Sequence, residues 1–512
     1  MKLIISKQHF AVEVMTRKER GVLNKFKDGF KTYKEVYDWK VRKNVKMVDK
    51  EFYGGNTTLG IYRFHIHYLN VFVKFIKYHG IEKENITLEM KDNSKKYRRV
   101  DINLLDHIEL RDYQLDSVNL GRDVIERNRY SMLLDHQMGK GKGIMSTKII
   151  SDIGLVTAII ILPRYMDKWK TELLEISDLE EDDIWLIRGS AGLNKLAEYD
   201  FSESKRDKVF IFSNTTIRNY IRHYEEAKKD EDFNYYLDPS ELLPHIGAGI
   251  VVVDETHQEF HSVYKAMMYF DPTVLIGMSA TLEDDDPIKL RYNYVLYPND
   301  VRLSSIGYDK YINLYYTNYR IVTNRGINYM GSRGYSHTTF EGSIIKIGKT
   351  LLRNYINLIK RVLDAGYISR YEEDTDKVIV FAATVEMCTI LTEEFSKSYP
   401  DRVVRRYVES DPYENVEEGN IIVSTPLSIG TGFDVKNLIT VVQTIVLKSS
   451  AANKQIIGRL RDLKHKGRDI PVEFYYIFSD DIDKHVEYHK YRLDIFKHII
   501  KRVNRLDVFA EI

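Results

Sequence analysis

Residues 133–146 read LLDHQMGKGKGIMS: an apolar run, closely spaced glycines, a lysine and then a helix-compatible segment. Such a turn can hold phosphate, because glycine lets backbone N–H groups converge on an anion in front of a helix N-terminus. Gly139 and Gly141 supply that freedom, and Lys142 supplies a mobile positive charge. The position after the lysine usually carries a Ser or Thr whose hydroxyl helps hold magnesium, and here it is Gly143. A ligand-free glycine turn has the same composition, so the stretch takes its meaning from partners elsewhere in the chain.

In GIVVVDETHQEF, the apolar residues Ile250 to Val253 deliver Asp254 and Glu255 to the C-terminal end of a strand, where ligands of open parallel sheets bind. Asp254 can hold hydrated magnesium and Glu255 can orient or deprotonate a water; the plainer alternative is an acid that caps a helix. Ser279, Ala280 and Thr281 end another apolar strand, and Gln114 in RDYQLDSVN carries an amide able to read an adenine edge. Further on, STPLSIGTGFDVKNL sets Gly432 and Asp434 in a loop, and NKQIIGRLRDLKHKG holds Gln455, Gly458, Arg459 and Arg461. Arginine from a second domain is what a phosphoryl-transfer site uses against transition-state charge. A solvated basic helix face is the alternative.

These residues need a scaffold, and the chain is long enough for several domains at 512 residues, with 43% hydrophobic and 29% charged residues. The composition is that of a soluble globular protein, without an apolar run long enough for a membrane span or a secretory leader. A lone cysteine, Cys388, excludes an intrachain disulfide and a Cys-based zinc cluster, and fits a reducing cytoplasm. The 15 histidines show no metal-ligand spacing, and a net charge of +1 says nothing about nucleic acid. There is no repeat or low-complexity tract. Residues 1–90 read as a small α+β domain with a basic, aromatic stretch, a strand in GIYRFHIHY and a helix through Leu69, Phe72, Val73 and Ile76. Beyond it, short apolar strands (YSMLL, TAIIIL, KVFIFS, GIVVVD, TVLIGMS) alternate with helical segments, as in a parallel sheet covered on both faces. A segment rich in Asp, Tyr and Asn interrupts the pattern around residues 283–345, and the alternation resumes with KVIVFAA, NIIVST, ITVVQTIVL and VEFYYIF. The expected domains are 1–90, 91–309, 310–483 and a C-terminal segment 484–512, with a helix over about 484–505.

Taken in order, Gln114, the loop at 139–142, Asp254 to His257, Ser279 to Thr281, Gly432 with Asp434, and Gln455 with Gly458 and Arg459 resemble the motif set of superfamily 2 helicases and translocases. The resemblance implies an α/β fold of two tandem RecA-like parallel-sheet domains, with ATP and Mg2+ in the cleft between them and nucleic acid across their tops. It makes Lys142, Asp254, Glu255, Arg459 and Arg461 the catalytic set, with Asp254 as the metal ligand. Arg111 and Gln114 would take the adenine side; Met138, Gly139, Lys140, Gly141, Gly143 and Ile144 the phosphate loop; Gly432 and Asp434 the far side of the nucleotide. His257, Ser279, Thr281 and Gln455 would couple hydrolysis to movement, and Arg164, Thr215, Thr216 and Thr425 would touch the strand.

Within the superfamily, DHQMGKGK is similar to the loop of swi/snf-type translocases, and the whole chain resembles the phage UvsW-type branch-migration helicases. YGGNTTLGIYRFHIHYLNVFVKFIKYHG resembles the small DNA-binding domain of that group, and GTGFDVKNL its form of the later motif. The resemblance implies a cytoplasmic DNA helicase for forked, branched or duplex DNA, working beside replication and recombination proteins. A duplex translocase without strand separation, a DNA-structure-binding protein switched by ATP, and RNA as substrate stay open. Two departures bear on the chemistry: Gly143 lacks the hydroxyl, and Asp462 stands where a second arginine is usual, with Arg461 one residue early. The stretch with Phe26, Phe30, Tyr33, Tyr37 and Trp39 is a candidate DNA surface, its rings either stacking on bases or forming a small core.

Overall fold

The computed structural model describes residues 1–38, 42–56, 59–136, 139–202, 204–226, 237–256, 260–279, 286–304, 310–322, 326–332, 334–409, 411–428, 435–464, 467–508 and 510–512. The chain divides into two units, Met1–His136 with Lys140–Ile306, and Gln137–Gly139 with Gly307–Ile512.

The first unit opens with a small α+β layer. Its strands run in the order Gly54–Asn56, Ile61–His65, His9–Glu13, Lys2–Ile5, Thr87–Met90. Thr16 and Glu19 form a capping box that starts the helix Arg17–Asp28, and the helix Leu69–Tyr78 buries Phe72 and Ile76. Phe26 is the hub of the core, with ring centroids 4.9 Å from Phe72 and 5.1 Å from both Phe64 and Phe30. The aromatic stretch therefore splits in two. Phe26 and Phe30 are 6% and 5% exposed, whereas Tyr33 and Tyr37 are 43% and 45% exposed on an antiparallel hairpin, Lys31–Asp38 with Lys43–Glu51. Trp39 lies outside the described residues.

This layer is tied to the rest of its unit. Gln8 N donates to Asp271 (3.0 Å), Asn56 Nδ2 to the Tyr224 carbonyl (2.6 Å) and Gly55 N to the Tyr269 hydroxyl (2.8 Å). Phe52 stacks on Tyr292 at 3.8 Å. Beneath lies a parallel sheet in the order Ile184–Ile187, Val209–Ser213, Thr157–Ile161, Ile250–Val253, Val274–Ser279, Ser131–Asp135, Arg302–Ser304. The central strands are buried on both faces, which is why they read as unbroken apolar runs.

The second unit is also a parallel sheet, in the order Val404–Tyr407, Ile421–Ser424, Lys377–Phe381, Leu438–Gln443, Val472–Ser479, Ile312–Arg320, Ile500–Arg505, with Ala510–Glu511 also on Ile312–Arg320. The fold is thus α/β with two parallel-sheet domains and a small N-terminal α+β layer, as two tandem RecA-like domains require.

Two local expectations change. The segment around 283–345 supplies strands to both sheets, Arg302–Ser304 to the first and Ile312–Arg320 to the second. The helix expected over 484–505 ends at Phe496, and Ile500–Arg505 is a strand paired with Ile312–Arg320. Ile500 and Val503 are compatible with either period, and sheet pairing decides between them. Among the described residues, no helix is long and apolar enough to cross a membrane.

Buried histidines set a pH dependence. Burial holds His9 and His337 down to about 3, and His136 and His261 down to about 4. Each folded value lies below the ordinary 6.5, so the stability these groups contribute is complete above that pH and is lost as pH falls through the window beneath it. The limiting slope is about 1.4 kcal/mol per pH unit for each histidine. Asp271 and Glu341, raised by burial to about 6 and about 7, and Asp254 and Glu172, also raised by burial, oppose the trend, but they are outnumbered because burial lowers His65, His67, His485 and His489 as well. Calorimetry is expected to show the melting transitions falling between about pH 7 and about pH 5; a flat profile there would contradict neutral burial of these rings.

Candidate phosphate site at a parallel sheet edge

Parallel pairing sets Ser279 beside Asp135 and Gly277 beside Val253, so the loops that follow these strands leave from one edge. After Asp135 the backbone turns through Gly139 (φ 78°) and Gly141 (φ 73°), left-handed positions that suit glycine, and Gly141 caps the helix Lys142–Ile153. The loop is braced from below. Gln114 Nε2 and the Tyr113 hydroxyl donate to the Lys140 carbonyl (3.0 and 3.2 Å), and Gln114 Oε1 accepts from Arg111 N (2.9 Å). Both ends of the Gln114 amide are thus engaged with backbone, where an adenine edge was expected to meet them. Lys142 Nζ donates to the His136 carbonyl (3.0 Å), and the buried His136 ring shares a hydrogen bond with Ser117 Oγ (2.9 Å). One turn into the helix, the Ser146 and Thr147 hydroxyls donate to the Gly143 carbonyl (2.8 and 2.9 Å). Ile144 sits half-buried in the first turn.

The acidic pair lies at the end of Ile250–Val253, separated from the loop's strand by Val274–Ser279. Residues 254–256 form a turn and the next helix starts at Phe260, so Asp254 does not cap it. Asp254 Oδ1 accepts from Glu255 N and Oδ2 from Trp169 Nε1, each at 2.8 Å. Glu255 has φ 49°, a left-handed conformation that is costly for a non-glycine residue. Burial, then the Glu255 carboxylate, pushes Asp254 above the usual carboxylate range, while Lys142 pulls the other way.

Two residues at this edge escaped sequence reasoning, both on the helix Met166–Ile176. Besides Trp169, the half-buried Glu172 reaches the start of the phosphate-loop helix: a Cβ built on Gly143 would lie 2.3 Å from Glu172 Oε1. Burial raises the Glu172 carboxyl, with Asp254 adding to the shift and Lys168 opposing it. The one signal in the sequence was the Trp-x-x-Glu spacing, which sets both side chains on one helix face.

Ser279 is buried at its strand end. Thr216 is locked inside the fold, its Oγ1 accepting from Gly189 N (2.7 Å) and sharing a hydrogen bond with Ser213 Oγ (2.6 Å), which also pairs with Thr215 Oγ1 (3.0 Å). Arg164 is exposed, with its guanidinium 4.8 Å from the Tyr165 ring centre. In the second unit, Thr425 Oγ1 pairs with Ser428 Oγ (2.8 Å), and the helix Ser450–Ile457 carries Gln455 and leads into Arg459 and Arg461. Arg459 is 2% exposed, and Arg461 Nη1 donates to the Gly458 carbonyl. Met138, His257, Thr281, Gly432 and Asp434 lie outside the described residues.

Residues 107–284, which hold the loop, the acidic pair and the helix that joins them, match the family model described as type III restriction enzyme, res subunit. The similarity covers that span alone. No curated protein matches. Among solved structures, a fragment of a putative HsdR subunit of a type I restriction enzyme from Vibrio vulnificus is 13% identical, covering 96% of this chain and 82% of its own, with a TM-score of 0.46. S. cerevisiae Dbp5 bound to RNA and ADP BeF3 is 14% identical, covering 78% of this chain and 95% of its own, with a TM-score of 0.47.

The loop depends on Gly141 twice over, because a Cβ there would lie 2.4 Å from Gln114 Nε2 on a backbone already left-handed. Gly141→Ala is expected to destabilise the first unit by about 1–2 kcal/mol, read as a lower denaturation midpoint. An unchanged midpoint would show that neither the turn nor the brace matters.

Proposed function

We propose that the chain is an ATP-driven DNA helicase or branch-migration translocase of the superfamily 2 type, acting on forked or junction DNA. One observation carries this reading: a glycine turn at a helix N-terminus and an Asp-Glu pair meet at one edge of a parallel sheet, within the span that matches the family described as type III restriction enzyme, res subunit. Lys142 and the amides of the loop bind phosphate. Asp254 has the carboxylate chemistry to hold magnesium. Among the described residues no cluster of three or more His, Cys, Asp or Glu forms a self-sufficient metal cage, so the donor set fits an ion completed by nucleotide phosphates and waters. A magnesium ion held there would neutralise phosphate charge. Glu255 orients the attacking water and accepts its proton. Arg459, with Arg461 beside it in sequence, is the arginine assigned to the transition-state charge, and Arg164, Thr215 and Thr425 serve the strand, whereas the buried Thr216 does not. The closer affinity to phage UvsW-type helicases, with a role in recombination or repair, belongs to this proposal and is supported by the N-terminal α+β layer and its basic hairpin.

The measurement that tests it is phosphate release without nucleic acid and with single strand, duplex, fork and four-way junction, run beside displaced-strand detection. ATPase stimulated by branched DNA is expected, with a loss of at least about 100-fold in Lys142→Ala and Glu255→Gln. Stimulation by duplex with no displaced strand would favour a translocase. The missing hydroxyl at Gly143 favours a second reading, an ATP-switched DNA-structure-binding protein, which predicts ATP-dependent binding with no turnover on any substrate.

The hairpin offers a second test. Tyr33, Glu35 and Tyr37 pair with Val48, Lys46 and Asn44, setting rings and a lysine on one face, with Lys46 Nζ 4.7 Å from the Tyr33 ring centre. Lys46→Ala is expected to weaken DNA binding and to flatten its salt dependence by about 0.9 in slope for the phosphate that is no longer neutralised. An unchanged slope in a salt titration would remove the hairpin from the DNA surface.

A further inference from the structure

Gly143 is the oddest residue of the phosphate loop, and the space its side chain would fill is already taken. A Cβ at that position would stand 2.3 Å from Glu172 Oε1 and 3.2 Å from its carboxyl carbon, closer than atoms approach. A Ser or Thr at 143 and the Glu172 carboxylate therefore cannot both occupy this spot. The same helix, Met166–Ile176, also holds the acidic pair, since Trp169, one turn before Glu172, donates to Asp254 Oδ2 (2.8 Å). Trp169 takes one lone-pair direction of Oδ2 and Glu255 N takes one of Oδ1, leaving others for a cation and its waters.

We propose that Glu172 replaces the missing loop hydroxyl as the second protein oxygen on the magnesium side of the nucleotide, with Gly143 retained to make room for it. The inference rests on the ATP-binding reading above. Magnesium in phosphate sites binds through one or two carboxylates together with substrate oxygens and waters, and Glu172 with Asp254 makes two where the usual loop offers one carboxylate and a neutral hydroxyl. The exchange has a consequence that a merely structural glutamate lacks. A second negative charge beside the loop repels bare ATP and attracts Mg–ATP, so removing it moves the two affinities in opposite directions.

The test is a fluorescence titration of the full chain with a labelled ATP analogue across a magnesium series. In Glu172→Gln, the magnesium concentration for half-maximal nucleotide binding is expected to rise about tenfold or more, while affinity for the metal-free analogue improves. Gly143→Thr combined with Glu172→Ala is expected to bring the magnesium midpoint back toward the wild-type value, because the hydroxyl then has both room and a role. This arm also covers the case in which Glu172→Gln alone fails to fold. Electron paramagnetic resonance of Mn2+ added with ATP reads the same ligand change directly at the metal. An unchanged magnesium midpoint in Glu172→Gln or, where that variant fails to fold, a midpoint in the double variant that stays far from the wild-type value overturns the proposal while leaving the nucleotide site intact. Failure of the unaltered chain to bind the analogue, or binding indifferent to Lys142→Ala, instead overturns the ATP-binding reading and this inference with it.

Discussion

Ser279 pairs with Asp135 and Gly277 with Val253 in a parallel ladder, and that register governs what the first unit can do. Parallel strands deliver their C-terminal ends to one edge, so residues distant in sequence arrive together without any loop having to reach. The glycine turn continues from Asp135 and the acidic pair from Val253, and the helix carrying Trp169 and Glu172 closes over both. Shift one strand by a residue and side chains change faces; the phosphate loop and the carboxylates would then stand out of step along that edge. Burial of the central strands on both faces holds the register, because slipping would expose Val251, Val252, Ile276 and their neighbours.

That burial also explains what could be read from the sequence. TAIII, IVVV and VLIGMS are unbroken apolar runs because no face of them meets water, and their acidic or hydroxyl ends are conspicuous against such a background. The strand Ile312–Arg320 escaped notice because INLYYTNYR mixes tyrosines with Asn and Thr, and its pairing with Val472–Ser479 is a tertiary fact. The C-terminal strand Ile500–Arg505 escaped for a related reason: an edge position exposes most of its residues, so its few apolar ones carry no decisive period.

The site was legible in its motifs and not in its supports. Gln114 is identifiable by its place ahead of the loop, yet both ends of its amide are taken by Lys140 and Arg111 backbone atoms. Trp169 and Glu172 belong to a helix that local sequence marks only as amphipathic, and nothing in it announces a carboxylate aimed at Gly143. The N-terminal aromatics show the same limit. Phe26 and Phe30 are core, Tyr33 and Tyr37 are surface, and composition alone treats them alike.

Glu255 has a consequence that its chemistry alone does not suggest. Along an extended strand, consecutive side chains point to opposite faces, so two adjacent acids would be separated by the thickness of the sheet. A φ of 49° at Glu255 ends the alternation just after Asp254, and the two carboxylates lie near enough for each to feel the other's charge. The kink costs roughly 1–3 kcal/mol, offset by the buried strand behind it. A backbone distortion of one residue thus converts the two-sided geometry of a sheet into a one-sided reactive corner, and the spacing between those acids is a property of main-chain torsion before it is one of side-chain choice.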